Sequence, residues 1–391
     1  MYETWHTAEK LKELQSLPLD QKIQITQAKV LEFYNKLNGN VFVSFSGGKD
    51  STVLAHIVHS LLPDVPLVFV NTGLVYPEVQ SFAKRMGSVF IYPKKSIRTV
   101  ITETGYPIIS KENAEAIYYA RRIRMPNEEG IRTSLRKRDE FKEGGRHFSY
   151  RNYRRETLMG KVISQDERKT PSMFNKTKWL PAVYLPYRIG SKCCSIMKKS
   201  PGKRFQTKTK LYPIIASMAE ESRLRKQAWL KTGCNSFEKT KVRSTPMAFW
   251  TEQDVLHYLS YYNIPYASPY GEIVRADGSV ISVNDINDKH KLRCTGCHRT
   301  GCIFCLFGAH LERDDGRLLR LKQTHPKQYD YCMRGGEWID NPDHISNAQK
   351  YDGDWENWNP KKIWIPSKEG LGMQLVIDEF NKLYPKSPIC Y

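Results

Sequence analysis

Residues 41–58 read VFVSFSGGKDSTVLAHIV, and this stretch decides the fold. Its continuous apolar start is typical of a strand buried on both faces of a parallel sheet. After Thr52 the apolar residues recur with helical spacing. Between the two lie Gly47 and Gly48, which allow positive φ and a close approach of the backbone to a ligand. A helix starting near residues 51–52 points its free N–H groups and its dipole into the turn, so the turn predicts an anion site.

The neighbouring segments continue the alternation of strand and helix. VPLVFVN (65–71), VFIYP (89–93) and LYPIIA (211–216) predict strands, with the helix EVQSFAKRMG between the first two. A later helix, TEQDVLHYLSYY, is expected to be capped by Thr251 with Asp254 as its capping-box partner. The pattern predicts an α/β protein with a doubly wound, mostly parallel, Rossmann-like sheet that binds ligands at the carboxyl ends of its strands.

We divide the chain into three segments. We expect residues 1–39 to form an N-terminal helical segment, and residues 40–270 to form the α/β domain that contains the predicted anion site, with a basic and aromatic insertion at about 110–180. We expect residues 271–391 to form a cysteine-rich and mainly helical C-terminal extension.

The chain is strongly basic, with a formal net charge of +20 from 61 Lys and Arg against 41 Asp and Glu. Such a charge favours a polyanionic partner, nucleic acid first. Residues 132–155 alternate cations with aromatic rings, which suits single-stranded nucleic acid through stacking and phosphate contacts. Two alternatives stay open: a basic surface that serves solubility or a nucleotide substrate, and a solvated insertion whose aromatic residues belong to the core.

The hydropathy of the chain indicates a cytoplasmic protein. Its apolar runs stay well short of the ~18 residues of a membrane span, so we expect no membrane partner. The N-terminal residues MYETWHTAEKLKELQ are polar and lack the apolar core of a signal peptide.

The polar residues of the turn fit a phosphate ligand. Lys49 supplies a cation, and Ser46 and Ser51 supply hydroxyl donors. Asp50 is unusual, because a carboxylate beside a phosphate is useful chiefly if it binds Mg²⁺ or orients the loop. The spacing of the glycines is not that of a Walker loop. The remaining alternative is an ordinary strand–helix turn.

These residues carry a resemblance to a known family. S-G-G-K-D-S resembles the PP-loop of ATP pyrophosphatases, in the adenine nucleotide alpha hydrolase-like superfamily, which cleave ATP between its α- and β-phosphates. Three further segments resemble motifs of the phosphoadenosine phosphosulfate (PAPS) reductase family: NTGLVYPE (71–78), ESRLR (221–225) and PMAFWTEQDVLHYLSYYNIPY (246–266). The resemblance covers roughly residues 20–310.

The resemblance implies an ATP site. Lys49, Asp50 and Arg225 would be catalytic, with Asp50 as the Mg²⁺ ligand. The nucleotide would be bound by Ser46, Gly47, Gly48, Lys49, Asp50, Ser51, Asn71, Thr72, Gly73, Glu78, Glu221 and Ser222.

Nine cysteines occur in clusters, which in a cytosolic chain indicates metal or redox chemistry rather than disulfides. Cys294-x-x-Cys297 and Cys302-x-x-Cys305 place four thiols in twelve residues. One Zn²⁺ bound by all four is an open alternative, although the spacer between the pairs is short.

The other alternative brings in the adjacent pair of Cys193 and Cys194. The adenylyl-sulfate reductase branch of the family implies that Cys193, Cys194, Cys302 and Cys305 bind a [4Fe–4S] cluster. Cys294 and Cys297 would then be spare thiols, sulfur carriers or alternative ligands.

The sequence departs from the reductases at two places. Sulfonucleotide reductases have a degraded PP-loop and a C-terminal E-C-G-L-H motif with the catalytic cysteine. Here the loop is complete and that motif is absent. We therefore expect ATP as the substrate. A complete PP-loop with cysteine-ligated iron–sulfur is the combination of ATP-dependent sulfurtransferases, such as the DNA-phosphorothioation sulfurtransferase and the iron–sulfur tRNA thiolases.

The expected function is an iron–sulfur sulfurtransferase that forms AMP and pyrophosphate from ATP and thiolates a nucleic acid. A reductase that releases sulfite from PAPS or adenylyl sulfate is the second hypothesis. The third is a non-catalytic nucleotide- or nucleic-acid-binding module of a defence or mobile-element system. The expected partners are nucleic acid and a sulfur donor such as a cysteine desulfurase, and a homodimer stays open.

Overall fold

The computed structural model describes residues 6–122, 157–160, 175–238, 241–279, 287, 290–312, 316–342, 344 and 360–391. The basic and aromatic stretch 132–155 lies outside these residues. Within them, no helix combines the length and the apolar character needed to cross a bilayer.

Helices and strands alternate from Leu19 to Arg122, and their order is less regular in the rest of the described chain. The α-helices are α1 Ala8–Ser16, α2 Leu19–Lys36, α3 Lys49–Leu61, α4 Pro77–Arg85, α5 Ile97–Thr104, α6 Lys111–Arg122, α7 Ser200–Thr209, α8 Arg223–Thr232, α9 Glu252–Tyr261, α10 Arg317–Thr324, α11 Pro326–Met333 and α12 Met373–Leu383. The strands are β1 Val41–Phe45, β2 Leu67–Val70, β3 Val89–Ile91, β4 Ile108–Ile109, β5 Tyr212–Ile214, β6 Asn235–Ser236, β7 Arg243–Ser244, β8 Ile273–Arg275, β9 Leu292–Cys294, β10 Leu306–Phe307, β11 Glu337–Asp340 and β12 Lys362–Ile365.

The chain divides into two compact units, each made of two separate stretches. The first unit comprises Met1–Lys94 and Met197–Cys302, and the second comprises Lys95–Ile196 and Ile303–Tyr391. This division differs from the three predicted segments. Helix α2 packs on α3 and β7 of the first unit, so residues 1–39 do not stand apart.

The first unit contains a six-stranded sheet in the order β3-β2-β1-β5-β7-β6. All neighbouring strands are parallel except β6, which runs antiparallel to β7. The α/β, mostly parallel architecture predicted from the sequence is confirmed. The strand order reverses at β1, which pairs with β2 on one side and β5 on the other. Ligands of such sheets bind at the carboxyl ends of the strands beside this reversal, so the segment after β1 is in the expected place.

Helix α3 forms because its apolar residues return with helical period. Val53, Leu54, Ile57 and Val58 are all fully buried. The helix begins at Lys49, two residues earlier than the sequence predicts, and Gly48 is its N-cap without a side-chain cap. The first-turn N–H groups therefore open directly into the segment that follows β1.

A buried ion pair joins helix α2 to helix α9 in the first unit. The ammonium of Lys22 donates to both carboxylate oxygens of Asp254, at 2.9 and 2.7 Å, and the Lys22 side chain is 2% exposed. Asp254 also accepts from the backbone N–H of Thr251 at 2.6 Å. The predicted capping box of Thr251 and Asp254 is confirmed. Lys22 thus holds the residue that fixes the start of α9.

The second unit has a core of aromatic residues. Trp179, in the 3₁₀-helix Thr177–Tyr184, packs against Phe380 and Tyr384 of the C-terminal end of the chain. Strands β4 and β10 pair in parallel, and β11 and β12 form an antiparallel pair. The guanidinium of Arg121, at the end of α6, donates to four backbone carbonyls within residues 182–187.

Candidate functional site

The loop Ser46–Ser51, here called the phosphate loop, joins β1 to α3 and is closed by its own hydroxyl groups. The N–H of Ser46 donates to Oγ of Ser51 at 3.2 Å, and the two Oγ atoms lie 3.0 Å apart. The Ser51 hydroxyl donates to the carbonyl of Gly48 at 2.9 Å. These bonds fix a compact turn whose outer face presents backbone N–H groups at a helix N-terminus, the arrangement that binds phosphate.

Both glycines of the phosphate loop are required by their surroundings. Gly47 has φ +69°, and a Cβ there would lie 2.7 Å from Cγ1 of Val79. A Cβ at Gly48 would lie 3.1 Å from Oη of Tyr270 and 3.2 Å from Oγ of Ser46. Helix α4, which carries Val79, and Tyr270 therefore pack directly on the loop.

We expect Gly47→Ala to raise the dissociation constant for ATP at least about 10-fold and to lower the free energy of unfolding by about 1–2 kcal/mol. The new methyl group adds a collision with Val79 to the strain of positive φ. The matched control is Gly87→Ala, because Gly87 has the same φ of +69° but open space around its Cβ position. Calorimetric titration and urea unfolding measure both effects, and equal ATP affinities of the two variants would contradict the prediction.

Lys49 lies at the base of the phosphate loop and is 5% exposed. Its ammonium forms an ion pair with the carboxylate of Glu252, in the first turn of α9. The same ammonium lies 5.6 Å from the centre of the Tyr270 ring. A buried cation is thus held at the loop by a carboxylate and a π-face, and an entering phosphate would compete with Glu252 for it.

Asp50 carries an unsatisfied carboxylate oxygen. Its Oδ1 is buried and has no hydrogen-bond partner among the described residues. Burial raises the pKa of this carboxyl above its usual value. The positive charge of Lys49 opposes the rise, and that of Arg225 and Arg299 does so to a smaller extent.

An orphaned carboxylate oxygen beside a phosphate site fits a hard divalent cation. Mg²⁺ commonly takes one or two carboxylates together with substrate phosphates and water. Asp50 would supply the carboxylate here, and its role as a Mg²⁺ ligand stays a prediction. Glu252 adds a second negative charge that acts on Asp50.

Residues 221–225 lie at the start of helix α8. Ser222 is the N-cap, and its hydroxyl accepts from the N–H of Arg225 at 3.3 Å. Glu221 forms an ion pair with the Arg225 guanidinium. Partial burial lowers the pKa of Arg225, as does the charge of Arg299, whereas Asp50 raises it. Of the predicted catalytic residues, Asp50 therefore lies within electrostatic reach of both Lys49 and Arg225.

The segment Asn71–Gly73 follows the carboxyl end of β2. Asn71 is buried, and its Oδ1 accepts from the N–H of Gly73 at 2.9 Å. The buried hydroxyl of Thr72 has no hydrogen-bond partner within the described part of the chain. Glu78 is half-buried in the first turn of α4, next to the Val79 that contacts Gly47. Contact with nucleotide remains a prediction for these four residues.

Four residues at the phosphate loop were missed by the sequence interpretation: Glu252, Tyr270, Arg299 and Thr300. Glu252 and Lys49 are 203 positions apart, and no local pattern links them. Glu252 does fall inside the segment 246–266 that carries the family resemblance, which was a usable signal. Arg299 and Thr300 lie between Cys297 and Cys302, and no local pattern distinguishes them.

The cysteines are distributed over both units. Cys294, Cys297 and Cys302 belong to the first unit, whereas Cys193, Cys194 and Cys305 belong to the second. Cys297 is buried and its thiol donates to Oη of Tyr76 at 3.5 Å. Burial raises the pKa of the buried Cys294 thiol, Lys49 opposes this rise, and the negative charges of Glu252 and Asp50 add to it.

The predicted ligands of the iron–sulfur cluster are divided between the two units, with Cys302 in the first and Cys193, Cys194 and Cys305 in the second. Among the described residues, which include all nine cysteines, no three side chains of His, Cys, Asp or Glu are grouped to hold a metal. The cluster and the alternative Zn²⁺ site stay predictions, and no chemical step below passes through them. Cys193 and Cys194 do precede a π-helical turn, Ser195–Lys199, a distortion that is frequent at functional sites.

Comparisons with known proteins identify the family of the chain. The sequence model of the phosphoadenosine phosphosulfate reductase domain matches residues 40–101 and 134–306, more than half of the chain. Among solved structures, the PAPS reductase from Candida auris in its phosphate complex is similar, with 12% identity and a TM-score of 0.30. That match covers 67% of this chain and 90% of the other. The curated proteins contain no match.

Proposed function

The chain belongs to the phosphoadenosine phosphosulfate reductase domain family, and on that premise we propose that it activates an acceptor with ATP, releases AMP and pyrophosphate, and transfers sulfur to the acceptor. The observation that carries the proposal is the complete phosphate loop at the carboxyl end of β1. Its closed turn, positive φ at Gly47 and buried Lys49 supply what a pyrophosphate group needs.

Each loop residue has a role in this proposal. The first-turn N–H groups of α3 and the hydroxyl groups of Ser46 and Ser51 bind the β- and γ-phosphates. Lys49 exchanges its ion pair with Glu252 for a phosphate oxygen. Asp50 would hold Mg²⁺, which when bound neutralises phosphate charge and orients the leaving pyrophosphate.

The chemistry is displacement at the α-phosphorus. An oxygen of the acceptor attacks this phosphorus, and the bond to the bridging oxygen breaks as pyrophosphate leaves. Lys49, buried at the loop, and Arg225, whose charge acts on Asp50, would stabilise the charge that develops. A sulfur nucleophile then displaces AMP from the activated acceptor, forming a carbon–sulfur or phosphorus–sulfur bond.

Nucleic acid is the acceptor class that the charge supports. The net charge of +20 favours a polyanion, and the acceptor oxygen would be a backbone phosphate or a base carbonyl. A cysteine desulfurase is the class of partner that would supply sulfur.

Reduction of a sulfonucleotide is the second candidate, and one observation favours it. Cys294 ends β9, which packs on helix α9 that carries Glu252, and the charges of Lys49 and Asp50 act on its thiol. A reductase of adenylyl sulfate or PAPS needs a thiol near its nucleotide. The complete loop favours ATP over these substrates.

Anaerobic turnover of α-labelled ATP, with and without DNA or RNA, separates the candidates. We expect AMP and pyrophosphate to form in equal amounts and only when nucleic acid is present. Sulfite from labelled adenylyl sulfate or PAPS, with ATP untouched, would establish the reductase instead. Tight binding of ATP without turnover of any substrate would contradict both enzymatic proposals.

Metal analysis tests the cofactor independently of turnover. We expect four iron atoms and four acid-labile sulfides per chain in protein purified without oxygen, as a [4Fe–4S] cluster requires. One zinc and no labile sulfide would support the alternative site at residues 294–305. Cys193→Ser distinguishes the two, because it removes a ligand of the cluster but none of the zinc site.

A further inference from the structure

Helix α7 of the first unit has an apolar face and a cationic face. Pro201 is buried, and the Phe205 ring, one helical turn later, packs edge-on against Phe42 of β1 with the ring centres 5.2 Å apart. Lys199 and Lys203 are also one turn apart and lie on the other side of the helix, where both side chains are exposed. Because α7 is anchored through its apolar face, these lysines are left to the solvent.

The cations of α7 have no acidic neighbours in sequence. Residues 188–219 contain no aspartate or glutamate, and the same holds for residues 79–102, which include β3. Lys199, Lys203, Lys208 and Lys210 are exposed, and within the described part of the chain none of the four forms an ion pair. Lys199 is the N-cap of α7, at the end where the helix dipole disfavours a positive charge. An anionic ligand explains this charge, whereas helix stability does not.

Arg204 attaches α7 to the edge of the sheet. Its guanidinium donates to the carbonyl of Tyr92 at 2.8 Å and to Oγ of Ser200 at 3.1 Å. Tyr92 directly follows β3, the edge strand on which α7 packs, and is 59% exposed. Lys94, two residues later, is exposed as well. An accessible aromatic residue is therefore held beside the exposed lysines of α7.

This surface lies at the same edge of the sheet as the phosphate loop. Strands β3 and β1 both run parallel to β2, which lies between them, so their carboxyl ends point the same way. Tyr92 follows the end of β3, and the phosphate loop follows the end of β1. Two strand spacings amount to about 10 Å. A chain of nucleotides that passes Tyr92 can therefore reach the loop.

We propose that Tyr92 and the exposed lysines of α7, here called the α7 surface (Tyr92, Lys199, Lys203, Lys208 and Lys210), bind an unpaired nucleic-acid strand. The lysines neutralise backbone phosphates, and the tyrosine ring stacks on a base. A lipid surface fits less well, because α7 exposes no large apolar side chain that could enter a membrane. The inference deepens the proposed function by locating its acceptor, and it rests on that function only for the reaction that follows binding.

Fluorescence anisotropy of a labelled polythymidine strand, measured without ATP at several salt concentrations, tests the lysines. We expect Lys199→Gln/Lys203→Gln to weaken binding about 10-fold at low salt. The slope of log K against log salt should become less steep by about 1.4, because each phosphate contact on a single strand contributes about 0.7. The matched control is Lys12→Gln/Lys241→Gln, which removes two charges from exposed lysines; Lys241 lies between β6 and β7, at the opposite edge of the sheet.

The same measurement tests the tyrosine separately. We expect Tyr92→Ala to weaken binding at least about 5-fold and to leave the salt slope unchanged, because stacking releases no counterions. Tyr92→Phe retains the ring and should bind as tightly as the natural chain.

The outcomes that overturn the proposal are definite. They are equal affinities of the two double variants, equal affinities of Tyr92→Ala and the natural chain, or no binding of the strand by the natural chain. Polyglutamate and vesicles of phosphatidylserine and phosphatidylcholine test other occupants. Tighter binding of either one than of the strand, lost in Lys199→Gln/Lys203→Gln, would also overturn the proposal. Because ATP is absent, strand binding by a chain that never cleaves ATP would sustain this inference and contradict only the proposed function.

Discussion

Asp50→Asn should reduce nucleotide turnover at least about 100-fold and at the same time raise the melting temperature. The loss of activity follows because an amide is a poor ligand for Mg²⁺ and leaves the phosphate charge uncompensated. The gain in stability follows because the carboxylate is held in a buried position with one oxygen unpartnered. Removing its charge at neutral pH should raise the free energy of unfolding by roughly 1 kcal/mol and the melting temperature by about 2–4 °C.

The pH dependence of this gain has a definite sign. Burial raises the pKa of Asp50 in the folded chain, so between the unfolded and folded pKa values the folded state binds more protons. Stability of the natural chain then falls as pH rises through this window, relative to Asp50→Asn. The difference in melting temperature between Asp50→Asn and the natural chain should vanish below the usual carboxyl pKa. It should reach a plateau above the raised pKa of the folded chain.

Thermal unfolding across this pH range, with and without Mg²⁺, measures the effect. Asp64→Asn is the control, because Asp64 is an exposed carboxylate of the same unit. Mg²⁺ together with ATP should stabilise the natural chain and leave Asp50→Asn unaffected. Undiminished turnover by Asp50→Asn would show that Asp50 is not a Mg²⁺ ligand.

Arg121→Met should lower the free energy of unfolding of the second unit by about 1–3 kcal/mol, the range found when buried hydrogen-bonding groups lose their partner. The guanidinium donates to the carbonyls of Ala182, Val183, Leu185 and Tyr187 at 2.6–3.0 Å. Methionine fills a similar volume but leaves all four acceptors without these donors. Arg121→Lys should recover only part of the loss, since one ammonium lacks the planar fork that reaches several carbonyls.

Hydrogen exchange locates this second effect. Amides of residues 177–189 should exchange faster in Arg121→Met, while those of α3 in the first unit should keep their rates. Arg98→Met is the control, because Arg98 donates to one carbonyl, that of Ser367, at 3.5 Å. A loss below about 1 kcal/mol would show that solvent replaces the lost donors.

The parts of the fold that depend on neighbours in sequence could be predicted. Strand β1, the phosphate loop and α3 are contiguous, and their pattern of apolar residues and glycines specifies both structure and anion binding. The capping box of Thr251 and Asp254 spans one helical turn and was equally readable. The helix start was predicted two residues late, because Lys49 and Asp50 resemble loop residues although both occupy the first turn.

The parts that depend on distant residues could not be predicted. The partner of Lys49 is 203 positions away, and the packing of Tyr270 on Gly48 is fixed only by the folded sheet. Each unit is likewise formed from two separate stretches of the chain, because it is held together by contacts between residues that are distant in sequence. For the cysteines, the sequence identifies the possible sulfur ligands but not which of them lie close together. That depends on the three-dimensional path of the backbone between them.

The ion pair of Lys22 with Asp254 bears on how this protein can be shortened for experiments. A fragment beginning at residue 40 keeps every motif of the nucleotide site, yet it loses helix α2 and with it the Lys22 ammonium that pairs with Asp254. The Asp254 carboxylate fixes the first turn of α9, which carries Glu252. Truncation would therefore increase the mobility of Glu252 and of the Lys49 ammonium that pairs with it. Expression trials should therefore retain residues from Thr7 onward, and an inactive fragment starting at 40 would say nothing about catalysis.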